Sequence, residues 1–343
     1  MRSVIALFAI LAPATMWAQA QSSAGIWQYA HPDAKAMVGI DVARIRNSPI
    51  GDQVHTQLKD FTLPLDVPGM EFLSSIDRLL LSSAPRKTED PNEEPSLMIA
   101  IKGHFDTAKL REAILKSGAK PQKFDSFTVY RPQDKSSNEF GLTVIDKETL
   151  LIGDANSLFQ VLARTKHGVS TDNTAPILAR ARQMDSEYDF WAILTSPASG
   201  IASSHIPFAD ALQMVQGLQA GLSLRGGLVF DLALDTPSED AAKEMSKQFT
   251  KLVRLAAKDK ERHPEFAGLD KKLKVVVDDS SVHVSIRVDT QQALTLFKAF
   301  EQTTPKKQPV QVVAAKPEPP QKQVIRIEGL DEGPREIPFK QPK

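Results

Sequence analysis

The chain has 343 residues, with 42 basic and 42 acidic side chains and a formal net charge of zero at pH 7. This balance argues against a nucleic-acid-binding protein and against electrostatic attachment to an anionic membrane, since both need a basic excess. The sequence contains no cysteine, which excludes disulfides, thiol nucleophiles, cysteine-based zinc sites and a lipid-modified cysteine. The hydrophobic fraction of 41% is ordinary for a globular chain, and the length suggests two domains or one duplicated domain.

The first 20 residues predict a cleavable export signal. Arg2 precedes an apolar stretch at residues 4–14, and Ala18-Gln19-Ala20 forms an A-x-A cleavage site. The alternative is a transmembrane anchor, but Pro13 and Thr15 cut the apolar stretch well short of the roughly 20 residues that a span needs. We therefore expect a soluble mature protein that is periplasmic or secreted.

Residues 26–165 are predicted to form a first α+β unit, from short apolar runs typical of strands and apolar residues at helical spacing. A charged segment bounded by prolines, at residues 86–95, is expected to be a surface loop. The predicted elements are a strand at 36–42, a helix at 48–58, strands at 78–82 and 97–102, a helix capped by Asp106, strands at 124–131, 140–145 and 149–153, and a helix that begins after Asp154.

Residues 175–302 are predicted to form a second α+β unit. After a strand at 189–195, residues 228–234 alternate between large apolar and small or polar side chains. Thr236-Pro237-Ser238-Glu239 matches a capping box with proline at the first helical position, and a long amphipathic helix follows. Strands at 273–277 and 282–288 flank an acidic turn, with His283, Ser285 and Arg287 on the outward face, and the last helix begins after Asp289.

Both units contain a hairpin with an acidic turn that leads into an Asp-capped helix, one ending at Asp154 and the other at Asp289. The predicted fold class is α+β: two similar strand-helix-strand-strand-helix units with mainly antiparallel sheets and helices on one face. Because residue identity between the two units is weak, internal duplication is a hypothesis here.

Two segments carry a resemblance to known proteins. Met37-Val38-Gly39-Ile40-Asp41-Val42 follows the export signal, and Ile76-Asp77-Arg78-Leu79-Leu80-Leu81 comes later in the first unit. With the paired α+β units, this layout resembles uncharacterised exported proteins of bacteria that carry duplicated α+β domains of unknown function. The resemblance covers most of residues 30–302. It implies export and fold, and no activity.

No motif predicts an enzyme, a metal or a cofactor. The seven histidines show neither H-x-H nor H-E-x-x-H spacing, and we interpret Asp106, near His104, as a helix cap. Adjacent carboxylates such as Asp278-Asp279 fit a turn better than acid–base chemistry. One alternative stays open: a hydrolase or an apolar-ligand carrier with its site at residues 193–218, where Ser196, Ser199, Ser203, Ser204 and His205 gather without a G-x-S-x-G elbow.

The end of the chain predicts a tethered docking element. Residues 303–323 form a proline-rich linker, and residues 324–343 form a C-terminal peptide whose first residues alternate like a short strand. Three outcomes are open for this peptide: docking to an envelope or secreted partner, pairing with the chain's own sheet, or disorder. The predicted function is a non-enzymatic binding or envelope accessory role, and the candidate docking residues are apolar: Ile325, Ile327, Leu330, Ile337 and Phe339.

Overall fold

The structure is a computed structural model that describes residues 25–53, 72–85, 95–132, 140–166, 176–195, 215–258, 268–303, 324–327 and 335–338. The predicted export signal, the linker beyond residue 303 and most of the C-terminal peptide lie outside these residues. None of the helices in the described ranges has the length and apolar character that a membrane span requires.

Helices and strands alternate along the first half of the chain. They are β1 (Ala36–Asp41), α1 (Val42–Arg46), α2 (Phe72–Ser75), β2 (Ile76–Ala84), β3 (Ser96–Gly103), α3 (Thr107–Lys116), β4 (Lys120–Phe124), β5 (Phe127–Arg131), β6 (Phe140–Asp146), β7 (Thr149–Asp154) and α4 (Ala155–Lys166).

The second half repeats this alternation with fewer strands. Its elements are α5 (Pro176–Glu187), β8 (Phe190–Leu194), β9 (Gly217–Ser223), β10 (Leu228–Asp235), α6 (Glu239–Lys258), α7 (Leu269–Lys272), β11 (Leu273–Asp278), β12 (Ser281–Val288) and α8 (Thr290–Thr303).

Twelve of the described strands form one continuous antiparallel sheet, in the order β11-β12-β10-β9-β8-β1-β2-β3-β7-β6-β5-β4. The two halves meet where β1 pairs with β8, with Gly39 opposite Trp191. Outward from this join the strands run β1-β2-β3-β7-β6 on one side and β8-β9-β10-β12-β11 on the other, so the two halves share one connectivity. The predicted α+β class with a mainly antiparallel sheet is confirmed.

The two faces of the sheet are covered differently in the two halves. We call face A the side that carries Met37, Leu80 and Trp191, and face B the side that carries Ile40 and Leu79. In the first half α4 packs on face A and α3 packs on face B, and α5 packs on face A across the join of β1 and β8. In the second half α6 and α8 both pack on face B.

The helices are therefore less uniformly placed than predicted, because they lie on both faces of the first half. The reason is the composition of the strands there. β7 is buried at five of six positions and β3 at five of eight, on both faces of the sheet, so neither face can be left to solvent in that half. β12 alternates instead between buried and exposed residues and needs cover on one face only.

Local signals in the sequence explain most helix starts. Asp106 caps α3 by accepting hydrogen bonds from the backbone N–H groups of Ala108 and Lys109. The capping box predicted at residues 236–239 is wrong in one respect, since the Ser238 hydroxyl accepts from the N–H of Ala241 and the helix begins at Glu239. Thr236 is buried and donates to the backbone carbonyls of Ser238 and Ser280 instead.

Residues 302–343 cluster as a separate compact unit. In it β13 (Val324–Ile327) and β14 (Arg335–Pro338) pair antiparallel, and the Cα atoms of Ile325 and Ile337 stand opposite each other. The strand predicted from residue 324 is therefore present, and it pairs within the peptide itself.

Candidate functional site

The join between the two halves is held by an aromatic and ionic cluster around Trp191. This side chain is 1% exposed, stacks on Trp27 with ring centroids 6.0 Å apart, and donates from Nε1 to an Asp185 carboxylate oxygen at 3.2 Å. Arg78 pairs with the same carboxylate, and Arg44 donates to the Asp185 carbonyl at 2.6 Å. These contacts fix α5 across the β1–β8 pair.

A buried carboxylate completes this cluster at the start of β8. Asp189 is 1% exposed and accepts from the backbone N–H of Leu224 at 2.7 Å and from Nε of Arg225 at 3.2 Å. A guanidinium nitrogen of Arg44 lies 3.6 Å away. Because each carboxylate in the cluster faces arginine, its charges are balanced internally and its role is structural.

A groove of about 380 Å³ lies beside this join, on face A of the second half. Its floor includes small side chains of β10 and β12, Ala233 and Ser285, and no described helix covers it. One wall is formed by Arg180 and Met184 of α5 and by Tyr188, which directly follows this helix, while longer side chains of β11 and β12 stand on the other side. We call this concavity the face A groove.

The Tyr188 ring closes one end of the groove. It lies directly over Gly221, where a Cβ atom would come within 2.5 Å of the ring carbons, so only glycine allows the tyrosine to lie flat on β9. The Tyr188 hydroxyl donates to a carboxylate oxygen of Asp231 at 3.1 Å. Burial, and then the negative charge of Asp231, raise the pKa of Tyr188 to about 12.

The acidic groups in the groove already have partners. Asp231 accepts from Tyr188 and lies 3.7 Å from a guanidinium nitrogen of Arg287, while Asp235 accepts from the Ser281 hydroxyl at 2.8 Å. The phenol keeps its proton at neutral pH, so it serves as a donor and not as a nucleophile.

Two cations at the groove lack a carboxylate partner among the described residues. Arg180 is held by neutral amide oxygens, donating to Gln219 and, at 2.6 Å, to Gln183. Lys274, at the outer rim, has no ion-pair partner within 4.0 Å in the described ranges. The groove therefore presents positive charge on both sides of a floor in which Ala233 and Ser285 are the small residues.

The structure shows part of what the sequence singled out. Ile325, Ile327 and Ile337 lie in the paired strands of the C-terminal peptide, whereas Leu330 and Phe339 lie outside the described residues. The alternative site at 193–218 cannot be located, since residues 196–214, with every serine and histidine named for it, are also outside them.

The three histidines that the structure describes lie in different environments. His31 is buried, and its Nδ1 accepts a hydrogen bond from the N–H of Asp33 at 3.0 Å. His104 is exposed, with Nε2 3.4 Å from a carboxylate oxygen of Asp77, and His283 stands on face A as predicted. Within the described ranges no three His, Asp or Glu side chains are grouped to hold a metal ion.

Sequence reasoning missed α5, β9 and the groove that they help to form. The signal for α5 was available: Pro176 occupies the first helical position, and Ile177, Leu178, Ala181 and Met184 form one buried stripe at helical spacing. The strand predicted at 124–131 is a hairpin, because Asp125 adopts a positive φ of 56° and reverses the chain between β4 and β5.

Comparisons with known proteins give the fold only distant neighbours. No family model matches this chain. No curated protein matches it either. Crystal form I of TP0453 is 8% identical with a TM-score of 0.49 and covers 79% of this chain and 96% of its own. Crystal form III is 8% identical with a TM-score of 0.47, and it covers 81% of this chain and 97% of its own. Crystal form IV is 9% identical with a TM-score of 0.45, and it covers 80% of this chain and 95% of its own. At this identity and overlap nothing is carried over from that protein, and the resemblance to exported families of unknown function stays a prediction.

Proposed function

We propose that this chain is an exported, non-enzymatic binding protein that holds an extended acidic segment of a partner protein in the face A groove. The observation that carries the proposal is Arg180, a guanidinium held over the groove by neutral amides, with no carboxylate partner among the residues that the structure describes. A carboxylate is the ligand group that a guanidinium recognises best.

The groove has the shape for such a ligand. Its small floor residues leave room for a peptide backbone, and its two uncompensated cations stand on either side of the strands β9 to β11. Four neighbouring strands span three spacings, or about 14 Å at about 4.8 Å each. An extended peptide repeats its side chains on one face about every 6.6 Å, so carboxylates four residues apart, about 13 Å, match this span.

The shared connectivity of the two halves supports a second element of the proposal, which is that they derive from one duplicated unit. α4 follows β7 in the first half as α8 follows β12 in the second. α4 packs on face A and α8 on face B, so in the described residues the face of β12 that corresponds to the covered face of β7 carries no helix. Duplication of a unit can create a binding surface when a sheet face that is covered by a helix in one copy has no such helix in the other.

The proposal is tested with a fluorescent hexaglutamate peptide and a hexaglutamine peptide of the same length, followed by fluorescence anisotropy. We expect the acidic probe to bind and the neutral one not to, with affinity falling as salt rises. Arg180→Gln should weaken binding by about tenfold or more, the size expected for one charge-assisted contact. The matched control is Lys120→Gln, an exposed cation on β4 at the far end of the sheet. Equal binding of both probes, or an unchanged affinity in R180Q, would overturn the proposal.

We propose a separate docking role for the C-terminal peptide. Two strands of four residues each, joined in a hairpin, are marginally stable alone, so the β13–β14 hairpin gains order by adding to a partner's sheet edge. The test compares the full chain with a chain lacking residues 324–343 in cross-linking to an envelope extract. A partner captured by the full chain and lost on truncation supports docking, and identical capture by both chains rejects it.

A further inference from the structure

The strand β11 ends the sheet on the side of the second half. Among the described residues it pairs with β12 alone, so its outer edge carries backbone N–H and C=O groups that no other described strand uses. Free edges of this kind bind further strands unless the sequence protects them.

The two ends of the sheet are protected very differently. β4 at the opposite end carries Lys120, Pro121 and Lys123, all exposed, and a proline cannot donate to an added strand. β11 reads Leu-Lys-Val-Val-Val-Asp, with no proline and a run of three β-branched residues. Val276 in the middle of this run is 43% exposed, an unusual position for a large apolar side chain.

We propose that β11 is a dimer interface, in which a second copy of this chain adds its own β11 antiparallel across a two-fold axis at Val276. This register places Lys274 opposite Asp278 of the second copy, and Asp278 opposite the second Lys274. Val276 then lies opposite Val276 of the second copy. Both ion pairs lie on the same side of the sheet as these valines, because residues 274, 276 and 278 share face A.

Charge is what selects a second copy as the occupant. Neither Lys274 nor Asp278 has an ion-pair partner in the described part of the chain, and the two-fold axis supplies one for each of them at once. On face B, Val275 lies opposite Val277 of the second copy, and Val277 lies opposite the second Val275. A self-complementary patch of this kind is what an isologous two-fold contact requires.

The same kind of join already exists inside the chain. β1 and β8, the first strands of the two halves, pair antiparallel at the centre of the sheet. Pairing of two β11 strands would extend the sheet from twelve to about 24 strands across the dimer, by the edge addition that β-rich proteins commonly use. Lys274 lines the groove as well, so in the dimer its charge is paired with Asp278 of the second copy, and Arg180 on the opposite side of the groove is the cation left for the proposed ligand.

Sedimentation velocity on the full-length chain tests the interface by charge exchange. We expect the wild-type chain to be dimeric at about 100 μM, a concentration at which small interfaces are occupied. K274D and D278K each place like charges across the axis and should raise the dissociation constant at least tenfold. Mixed in equal amounts, the two variants should form a heterodimer, since each supplies the charge that the other lacks. The control is Lys123→Asp at the β4 edge, which should leave the dimer unchanged.

A disulfide gives an independent geometric test. The chain contains no cysteine, so V276C introduces a unique thiol. Residues directly opposite in an antiparallel pair have Cα atoms about 4.5–5.5 Å apart, within the range that a disulfide spans. Mild oxidation should therefore cross-link V276C into a dimer and leave Lys123→Cys largely monomeric. A monomeric wild-type chain, a dimer insensitive to both charge variants, or equal cross-linking at the two edges would each overturn the inference.

Discussion

Replacing Gly39 by alanine should strongly destabilise the protein, because no space exists for a methyl group at the centre of the sheet. A Cβ atom at residue 39 would come within 2.2 Å of Cε2 of Trp191, and within 2.4 Å of two more ring atoms. Trp191 cannot move aside freely, since it is buried, stacked on Trp27 and bonded to Asp185.

The expected cost follows from these contacts. Overpacking a tight core costs about 1–3 kcal/mol, and a displaced indole would also lose a hydrogen bond to a charged group, worth roughly 1.5–3 kcal/mol. We therefore expect Gly39→Ala to lower the free energy of unfolding by about 3–5 kcal/mol. With a slope of roughly 2–3 kcal/mol per molar urea, the midpoint should fall by about 1–2 M.

Urea unfolding followed by tryptophan fluorescence measures this shift, because Trp27 and Trp191 both lie at the join. The matched control is Gly226→Ala, where a Cβ atom meets nothing within 4 Å and stability should change by less than about 1 kcal/mol. In a Trp191→Leu background the clash is gone, so Gly39→Ala should cost far less. An equal cost in both backgrounds would refute the steric reasoning.

Three further predictions concern single polar groups. Asp189→Asn should lower the free energy of unfolding in urea by roughly 3–5 kcal/mol, because it removes the buried negative charge that faces two arginines. The control Asp240→Asn, at an exposed position, should change the free energy of unfolding little. Tyr188 keeps its proton more tightly when folded, so its contribution to stability should be fully present below pH 10 and fall as the pH rises towards 12. Burial raises the pKa of Tyr29 as well, so absorbance titration at 295 nm should show late phenols of which Tyr188→Phe removes one. Asp106→Ala should lower the urea midpoint while Asp106→Ser preserves it, because a serine hydroxyl can accept the same N-terminal hydrogen bonds of α3.

The sequence predicts the strands well where their residues alternate or form short apolar runs. β10 and β12 alternate with period two, and their outward residues, Asp231 and His283 among them, do stand on face A. Asp106, Asp154 and Asp289 each accept from a backbone N–H at the start of the helix that follows, as predicted. These features are local, since each depends on residues within a few positions.

What the sequence does not predict depends on contacts between distant residues. That β1 pairs with β8 is decided by Gly39, Trp191 and the ionic cluster around Asp185, which are far apart in the chain. The face A groove is likewise formed by α5, β9, β10, β11 and β12, which no motif connects. Arg180 belongs to no motif in the sequence, and its position over the groove follows only from how α5 packs on the join.

The openness of face A follows from the difference between β7 and β12, which occupy matching places in the two halves. β7 is apolar on both sides, with Leu151 buried on face A beneath α4. β12 carries His283, Ser285 and Arg287 on face A, so a helix placed there would have to desolvate a guanidinium and two further polar side chains without burying apolar area in return. α8 packs instead on the apolar face B, against Ile286 and Val288. The polar face of β12 thus both excludes a helix and leaves the groove exposed, which links an alternation visible in the sequence to the surface on which the proposed binding depends.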